Sequence, residues 1–542
     1  MISRLDREPF SKSYGSLDRT YWAWKFTDFP GARFQEAAYS LAKLYRLRQP
    51  ANPLFEHPRA LSWAKAIFAN WASLQYPDGS FDEAYPYEHS LAATAFTGFY
   101  VGEAYCILQD QLEAAERVRL VDCFRKAGDW LRRNDETHGV LSNHLAAAAA
   151  ALTVIAKITG DEGYTTRARH FLQRIYAHQS KEGWYEEYGG ADPGYQTHGT
   201  FYLARIWQLT GDDQLLESLK KSVAFLKHFI HPDGSLGGEY GSRNTAFYFP
   251  AGFEILAPVC DDAASIAQFM RASVERQICV GLAAMDAYNL LPMLNNCLAA
   301  AEALVGSDRD AALTTRRKVS VLPCQTEGRW SFPDAGLFVL AEGPNFMVVG
   351  GSKGGVVKLF RRTGDAARLA ASDCGWWVRL GKGVASSQLF DRGIALTLGS
   401  EELSLESGFV RVNQRLMTPW LFMAFRLFCL LLGRSQTIAY RVKALLVKVL
   451  VSRKRPVPLR MRRRIMLSTG RLVIEDCLVP EGPLRVDELG RGENFASIHM
   501  GSARYYQPSD LLTAPPRMER SPDLRALSAG QPVTTRLVWE FE

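Results

Sequence analysis

One stretch of the sequence concentrates the side chains that carbohydrate chemistry requires. Between Glu182 and Tyr202, aromatic rings, carboxylates, two adjacent glycines and a histidine stand in an expected loop that leads into a helix. Rings can stack on a sugar, while carboxylate, amide and imidazole groups can bind its hydroxyls or move protons. The candidate sugar-binding residues here are Tyr185, Glu187, Tyr188, Asp192, Gln196 and His198. We interpret this stretch as the floor of a carbohydrate site.

Groups suited to proton transfer stand in this stretch and in two other segments. Cleaving a uronic acid polymer by β-elimination removes the C5 proton and protonates the oxygen that leaves C4. The site therefore needs a base, an acid and donors that stabilise the developing charge. Asn143 and His144 can donate to the uronate carboxylate, and a neutral His144 can also act as base. Tyr195 suits either the acid or the base role, and Arg243 and His198 are candidates for a cation that would stabilise its phenolate.

Each of these residues also has an ordinary structural explanation. Asn143 is a favoured helix N-cap, and a tyrosine such as Tyr195 is often buried with its hydroxyl satisfied. Arg243 could pair with Glu239 or Glu254, and such a surface pair would contribute little. The polar clusters at corresponding places in several loops favour a functional role. Outer contacts with sugar are then expected from His89, Glu239, Tyr240 and Asn244.

Composition indicates a globular protein and narrows its chemistry. The 542 residues are 47% hydrophobic and 22% charged, which suits more than one domain. Nine scattered cysteines without a CxxC pair indicate reduced thiols in a cytoplasm rather than disulfides or a zinc site. The polar N-terminus lacks the apolar core of a secretory signal, so export by a standard route is not expected. The histidines lack ligand-like spacing, and neither a metal nor another cofactor is expected.

Helical periodicity organises the first part of the chain. From Phe34 to about Leu304, apolar residues recur at helical spacing, and polar loops interrupt them about every fifty residues. The loops run from Tyr76 to His89, Asn134 to His144, Ser180 to Tyr195 and His231 to Asn244. A period near fifty accommodates two helices with their loops, so residues 1–310 are predicted to form an α/α toroid of helical hairpins. Its elaborate loops should meet around one cleft.

Residues 311–542 follow a different pattern. After about Arg316, runs of alternating apolar and polar residues are separated by glycine-containing turns, as between Gly336 and Arg362. This alternation predicts an antiparallel β-sandwich. Further strands are expected at Trp376–Leu380, Ile394–Leu398, Leu472–Leu478 and Thr534–Phe541. The predicted fold class is therefore multidomain α+β, with the toroid followed by the β-sandwich and a helical, basic insertion.

That insertion occupies residues 417–464. Two apolar segments, beginning at Pro419 and Thr437, precede a basic tract, and between Ser407 and Ile474 there are fifteen lysines or arginines and no acidic residue. The apolar segments are too short for a transmembrane helix of about 20 residues. They are typical of helices that lie in an anionic membrane surface, with cations at the headgroups. The alternative is a helical hairpin packed on the toroid, whose arginines meet a uronate polymer.

Several short segments resemble those of heparinase II/III-like and alginate-lyase-like polysaccharide lyases. Ser142–His144, Asp192–Gly199 and Gly237–Tyr248 resemble active-site segments, and elements at Lys353–Gly355 and Asp373–Gly375 resemble the start of the β-domain in those enzymes. The resemblance covers most of the chain except the insertion. It implies an α/α toroid joined to an antiparallel β-sandwich.

The same resemblance implies roles for individual residues. Asn143 would neutralise the substrate carboxylate, His144 would serve as base or second donor, and Tyr195 would act as acid or base. Tyr240 and Arg243 would lie at the edge of the site, positioning sugar or tuning Tyr195. The basic insertion is not part of the family pattern and indicates a polysaccharide handled at the inner membrane face.

Four functions are compatible with these residues. The leading hypothesis is a lyase that cleaves a uronic-acid-containing exopolysaccharide by β-elimination at the cytoplasmic membrane face. A uronyl C5-epimerase removes the same proton and returns it to the other face. An inverting glycoside hydrolase would pair Glu187 or Asp192 with Asp78 or Glu239. The fourth function is a non-catalytic glycan-binding or assembly protein of polysaccharide biosynthesis.

The expected partners follow from these hypotheses. An anionic polysaccharide is the expected substrate, and residues 417–464 are expected to meet an anionic membrane surface. Nucleic acid is not expected, because no aromatic-interleaved binding module accompanies the basic tract.

Overall fold

The computed structural model describes residues 1–136, 139–309, 320–364, 366–388, 390–399, 402–413, 416–435, 455–495 and 515–541, with a few isolated positions between 438 and 511. The predicted boundary between the domains, at residue 310, lies outside the described residues. So does most of the second apolar segment of the predicted insertion.

Eleven α-helices in the described part of residues 1–309 form the first domain. They are α1 (Ala37–Arg46), α2 (Pro58–Leu74), α3 (Leu91–Leu108), α4 (Ala114–Arg133), α5 (Ser142–Thr159), α6 (Glu162–Ala177), α7 (Pro193–Thr210), α8 (Asp213–Leu226), α9 (Ala251–Leu256), α10 (Asp261–Glu275) and α11 (Leu290–Arg309). The odd-numbered helices form an inner ring, in which each contacts the next and α11 returns to α1. Even-numbered helices pack outside the ring. The predicted α/α toroid is confirmed.

Inner helices α3 and α5 are buried around most of their circumference because other helices surround them. All six alanines from Ala146 to Ala151 in α5 are buried. Gly102 of α3 lets α5 approach, since a Cβ there would lie 2.8 Å from Val154 Cγ1. Residues 91–111 are long and apolar enough to cross a membrane, but 89% of their apolar window is buried inside the toroid. This segment is therefore a core helix.

The second domain consists of two antiparallel sheets. Strands β1 (Glu186–Glu187) and β2 (Gly190–Ala191) belong to a toroid loop. The sandwich strands are β3 (Gly328–Phe332), β4 (Leu337–Glu342), β5 (Asn345–Gly350), β6 (Val356–Thr363), β7 (Ala366–Asp373), β8 (Trp376–Leu380), β9 (Gly383–Ser386), β10 (Thr397–Leu398), β11 (Glu402–Val412), β12 (Pro456–Ser468), β13 (Arg471–Pro480), β14 (Glu488–Arg491), β15 (Arg517–Arg520) and β16 (Val533–Glu540). Within the described residues, two α-helices, α12 (Pro419–Leu431) and α13 (Leu524–Ser528), accompany them.

The sheets are stacked on the toroid as successive layers. One has the order β3-β4-β5-β6-β7, and the other β14-β8-β9-β11-β12-β13-β16-β15 with β10 beside β11. One face of the five-stranded sheet packs on the larger sheet through residues such as Leu359 and Ile474. Its other face joins the core of the toroid through residues such as Val348 and Phe360. The β-sandwich prediction is confirmed.

The predicted insertion is shorter than expected. Residues 456–464, assigned to a basic helical tract, belong to strand β12, where buried and exposed residues alternate. The assignment of these residues to a helical insertion is therefore wrong. Arginine occupies both faces of this strand, which hid the alternation. Helix α12 is the described helical part of the insertion.

Contacts across the domain boundary fix the toroid loop 231–245 on the five-stranded sheet. Glu239 forms an ion pair with Lys358 at 2.6 Å, and Lys353 Nζ donates to the Ser242 carbonyl at 3.0 Å. The His231 ring stacks on Phe360 with 4.2 Å between ring centroids. These contacts hold the second domain against the end of the toroid that carries the predicted site.

Candidate active site

The N-terminal ends of inner helices α3, α5, α7 and α9 lie at one end of the toroid. Phe96 of α3 contacts both His144 of α5 and His198 of α7, with ring centroids 5.6 Å and 5.9 Å apart. Asp192 caps α7 and also accepts the backbone N–H of Arg243 from the loop before α9, at 2.7 Å. The N-terminus of a helix carries partial positive charge, so this end of the ring favours an anionic ligand.

Asn143 is held by a buried carboxylate. Its backbone N–H donates to Glu187 Oε1 and its side-chain Nδ2 to Glu187 Oε2, both at 2.8 Å. Both residues are buried. Burial raises the pKa of Glu187 to about 7, although the hydrogen bonds from Asn143 oppose the shift. Glu187, predicted to bind sugar, thus orients Asn143 from behind.

His144 is oriented by a residue that sequence reasoning missed. Its Nδ1 lies 3.0 Å from Glu136 Oε2, and its ring stands edge-on to Phe96. If Nδ1 carries the proton and donates to the carboxylate, Nε2 of the neutral ring has a free lone pair and can accept a proton. The His144 side chain is 25% exposed, so it is accessible to a ligand.

Tyr195 lies in the first turn of α7, where the local structure is fixed by Asp192 and Thr245. The Tyr195 N–H donates to Asp192 Oδ1 and Thr245 Oγ1, each at 3.1 Å. Gly194 allows the loop to approach, because a Cβ there would lie 2.5 Å from Thr245 Oγ1. The Tyr195 ring meets Phe247 edge-on, with 5.1 Å between ring centroids. Asp192 is fully buried and therefore supports Tyr195 rather than contacting sugar.

Arg243 lies against two tyrosine rings. Its guanidinium carbon is 4.3 Å from the centroid of Tyr188 and 5.5 Å from that of Tyr195. Burial opposes its charge, but the Tyr195 and Tyr188 phenols and Asp192 outweigh burial, so the pKa of Arg243 is raised. The alternative pairing with Glu239 or Glu254 is not observed, since these carboxylates pair with Lys358 and Arg271.

Polar atoms of this loop lack hydrogen-bond partners within the described part of the chain. They are Arg243 Nε and both amide atoms of Asn244, and both side chains are at least nine-tenths buried. Asn244 also adopts a left-handed backbone conformation, with φ of 60°. Buried polar groups without partners and strained backbones are concentrated at functional sites. Arg243 and Asn244 are therefore strong candidates to bind a ligand.

Tyr188 lies between the residues that hold Asn143 and His144 and the pair formed by Tyr195 and Arg243. It stacks on Arg243, and Glu136, Tyr195 and Glu187 are all close enough to affect its ionisation. Gly190, two residues later, lies under a ring of the second domain, because a Cβ there would be 2.1 Å from Phe390 Cζ. The adjacent glycines therefore permit the β-sandwich to close over this loop.

Four predicted site residues have internal partners and do not face the cleft. They are Tyr185, Gln196, His198 and Tyr240, all of them buried. Their partners are Ser218, Ser222, Tyr202 and His231 respectively, at 2.7–2.9 Å. The predicted sugar contacts of these four residues are therefore corrected to structural roles.

His198 also cannot supply the cation predicted for it. Burial lowers the pKa of His198 to about 3, so the ring is neutral. It stacks on Phe249 with 4.2 Å between ring centroids. Arg243 is the cation that lies beside Tyr195.

The remaining predicted residues lie at the rim. His89 Nδ1 contacts Ser80 Oγ at 2.6 Å and Asp78 Oδ2 at 3.0 Å. Glu239 is one wall of a cavity of about 660 Å³ between the domains, which is lined by Glu239, Arg491, Glu493, Asn494, Phe495, Tyr505 and Tyr506. The Tyr505 ring contacts Phe247, which in turn contacts Tyr195. The cavity therefore adjoins the Tyr195 cluster.

Residues missed by sequence reasoning come from other parts of the chain. The Arg33 guanidinium lies 4.5 Å from the Phe96 ring and pairs with Glu36 and Glu83. Arg491 and Tyr505 reach the cavity from the second domain. The loop containing Glu136 was recognisable as polar, but nothing local in the sequence identifies Arg33 or Arg491 as neighbours of the site.

Comparisons with known proteins agree with this architecture. Residues 28–249 match the sequence profile of a family described as the ulvan lyase N-terminal domain. No curated protein sequence matches the chain. A solved xanthan lyase from Paenibacillus is 10% identical, with a TM-score of 0.52 over 89% of this chain and 44% of its own. A chondroitin AC lyase from Streptomyces coelicolor A3, solved with chondroitin sulphate, is 10% identical, with a TM-score of 0.52 over 83% and 62% of the two chains.

These matches differ in what they establish. At 10% identity the structural similarity shows a shared fold, and the chain spans 44% and 62% of the lengths of these two lyases. The family match covers residues 28–249, within the helical domain alone. Together they confirm the predicted resemblance: residues 28–249 are similar to an ulvan lyase domain, and the chain shares its fold with the two solved polysaccharide lyases.

Proposed function

We propose that this chain is a polysaccharide lyase that cleaves a uronic-acid-containing polysaccharide by β-elimination. The observation that carries the proposal is the cluster of Asn143, His144, Tyr195 and Arg243 at one end of the toroid, with unpartnered donors beside Tyr195. The family match and the lyase fold support the same reaction class.

The reaction assigns a task to each group. A base removes the C5 proton, the C5 electron pair forms the C4–C5 double bond, and the C4–O4 bond breaks as an acid protonates the leaving oxygen. His144 is suited to be the base, because Glu136 can hold the Nδ1 proton and leave Nε2 free. Tyr195 is suited to be the acid, and the nearby Arg243 stabilises the phenolate that remains.

The uronate carboxylate needs donors because charge accumulates on it as the proton leaves C5. Asn143 uses one Nδ2 hydrogen on Glu187, and an amide has a second one. Arg243 Nε and the Asn244 amide are buried donors without a partner among the described residues. A carboxylate bound among these groups would accept hydrogen bonds from their N–H donors.

The hydrolase alternative receives less support from the carboxylates. Asp192 accepts backbone N–H bonds from Tyr195 on one oxygen and from Arg243 on the other, so neither oxygen is open to a water or a glycosidic oxygen. Glu187 is similarly occupied by Asn143. An inverting hydrolase needs two free carboxyls flanking the sugar.

We also propose that the protein acts in a reducing compartment, which corresponds to the cytoplasm. All nine cysteines are free, and six of them are buried. Reduced buried thiols are typical of cytoplasmic proteins. Fractionation of the source cells, with detection of the native chain, would test this placement.

Ultraviolet absorbance on a panel of uronate polymers tests the reaction, because elimination creates a conjugated unsaturated uronate. We expect absorbance to rise with the native chain. The rate of this rise should be lower by about 10²-fold or more in Tyr195→Phe. Tyr185→Phe is the matched control. The Tyr185 hydroxyl contacts Ser218 in the core, so the activity of this variant should remain near native.

Three other outcomes would contradict the proposal. Equal losses in Tyr195→Phe and Tyr185→Phe would assign Tyr195 a structural role. Proton exchange at C5 in heavy water without chain cleavage would instead show a C5-epimerase. Binding of the polymers with neither cleavage nor exchange would show a glycan-binding protein.

A further inference from the structure

Helix α12 exposes large apolar side chains over most of its surface. Leu416 is 87% exposed and Trp420 is 79% exposed, and Leu421, Met423, Leu427 and Leu431 are all more than half exposed. We call these six residues the apolar ridge. Soluble proteins rarely expose so many large apolar side chains together without a partner.

The underside of α12 is firmly docked on the toroid. Arg426 pairs with Asp28 at 3.0 Å and lies over the ring of Phe29. Phe425 meets Tyr85 edge-on, with 5.1 Å between ring centroids. Cys429 is buried. The orientation of the helix is therefore fixed, and the apolar ridge faces away from the protein.

A second segment extends the same exposed surface. Trp24 and Phe26 are 63% and 85% exposed, and they immediately precede the Asp28 and Phe29 that hold Arg426. Two segments distant in sequence, joined through Arg426, thus both carry exposed apolar side chains. A single mobile helix would not explain this arrangement.

Charge indicates what covers this surface. Besides Arg426, which pairs with Asp28, the sequence from Leu416 to Arg455 contains seven lysines or arginines and no acidic residue. A symmetric contact with a second copy would bring these cations together, which is unfavourable. Apolar side chains with flanking cations instead match the acyl and headgroup layers of an anionic bilayer. Helix α12 has 13 residues, too few to cross a bilayer, which needs about 20.

We propose that the apolar ridge, together with Trp24 and Phe26, docks the protein on the surface of an anionic lipid bilayer. Helix α12 lies in the interface with its apolar side chains among the upper acyl chains. This inference does not require that the proposed reaction be correct.

The docking surface borders the candidate site. Tyr85, which contacts α12, and Tyr87, over which Arg434 lies, belong to the loop that carries Glu83 and His89. Glu83 pairs with Arg33 beside Phe96. If the proposed function is correct, the cleft opens close to the bilayer, and its substrate is an anionic glycan present at a membrane surface.

Sedimentation with vesicles tests the docking surface. We expect the full chain to sediment with vesicles of equal phosphatidylglycerol and phosphatidylcholine, and less with phosphatidylcholine alone. Replacing Trp420, Leu421 and Leu427 together by serine should weaken binding at least about tenfold, because three large apolar side chains are lost. Val118→Ser on the outer helix α4 is the control, since Val118 is 72% exposed on another surface and should not affect binding.

Several outcomes would overturn the inference. They are absence of binding by the native chain, native binding by the triple variant, and equal weakening by Val118→Ser. A native dimer in analytical ultracentrifugation that the triple variant converts to monomer would assign the surface to a second copy. The elimination assay with soluble oligosaccharides keeps the two proposals separate, because the triple variant should retain native activity there.

Discussion

Two buried arginines, one in each domain, illustrate opposite uses of the same side chain. Arg463 in the β-sandwich is fully buried and donates to Asp476, Asp373 and the Gly355 carbonyl at 2.6–2.8 Å. Arg243 in the toroid lies on two tyrosine rings, and its Nε has no partner among the described residues.

The difference separates structural from functional burial. A buried charge whose nitrogens all have partners holds strands together, and its loss leaves those partners uncompensated. A buried charge with an unpartnered donor pays a desolvation cost that its remaining contacts do not offset. A ligand that accepts a hydrogen bond from that donor would offset it. The comparison therefore predicts that stability depends on Arg463, whereas activity depends on Arg243.

The largest expected effect is on stability. Arg463→Met leaves two buried aspartates without their main partner and should lower the free energy of unfolding by about 3–5 kcal/mol. Urea denaturation measures this loss. Arg462→Met is the control, because Arg462 is exposed and pairs with Glu406 at the surface, and its effect should stay below about 1 kcal/mol. Equal losses in both variants would contradict the structural role of Arg463.

The next effect is on activity. Arg243→Gln removes the cation beside Tyr195 and should lower kcat/KM by about 10²- to 10³-fold. Its free energy of unfolding should fall by much less than that of Arg463→Met. Steady-state kinetics and urea denaturation of the same preparation measure both quantities. A variant that unfolds easily but turns over at the native rate would reverse the assignment of the two arginines.

A third effect concerns pH. Because the pKa of Glu187 is raised from 4.5 to about 7 in the folded chain, its contribution to stability is full below pH 4.5 and is lost as pH rises towards 7. Glu187→Gln should remove this dependence, worth about 3 kcal/mol across that range. Denaturation at several pH values measures it, and the difference between native and variant cancels the contributions of other carboxyls. Parallel curves for both proteins would contradict the burial of an ionisable Glu187.

The smallest effect should have opposite signs for stability and activity. Asn244→Gly relieves the left-handed backbone conformation and removes two unpartnered amide atoms, so it should raise the free energy of unfolding by about 1 kcal/mol. Activity should fall, because a donor for the substrate is lost. Thermal denaturation and kinetics measure the two changes. A variant that is less stable than the native chain would show that Asn244 serves the fold.

The sequence was informative where a local pattern determines the structure. Polar loops between apolar helices predicted that Asn143, His144, Tyr195 and Arg243 would meet at one end of a toroid, and strand β8 was predicted with its observed ends. These features depend on periodicity and on turn residues, which the chain displays directly.

Other features depend on packing between distant segments. Val457, Leu459, Met461, Arg463 and Ile465 alternate along β12 and face inward, but arginines on both faces made the segment look like a basic tract. Tyr185 and Tyr240 have the same side chain as Tyr195, and only their partners in the core distinguish them. No pattern within one sequence identifies such partners.

Cleavage of a defined uronate oligosaccharide in water labelled with heavy oxygen tests the central claim most directly. Elimination breaks the C4–O4 bond without adding water. Mass spectrometry should therefore find products without the label at the cleaved linkage and with a double bond in the new non-reducing sugar. Incorporation of one labelled oxygen for each bond cleaved would show hydrolysis and contradict the account.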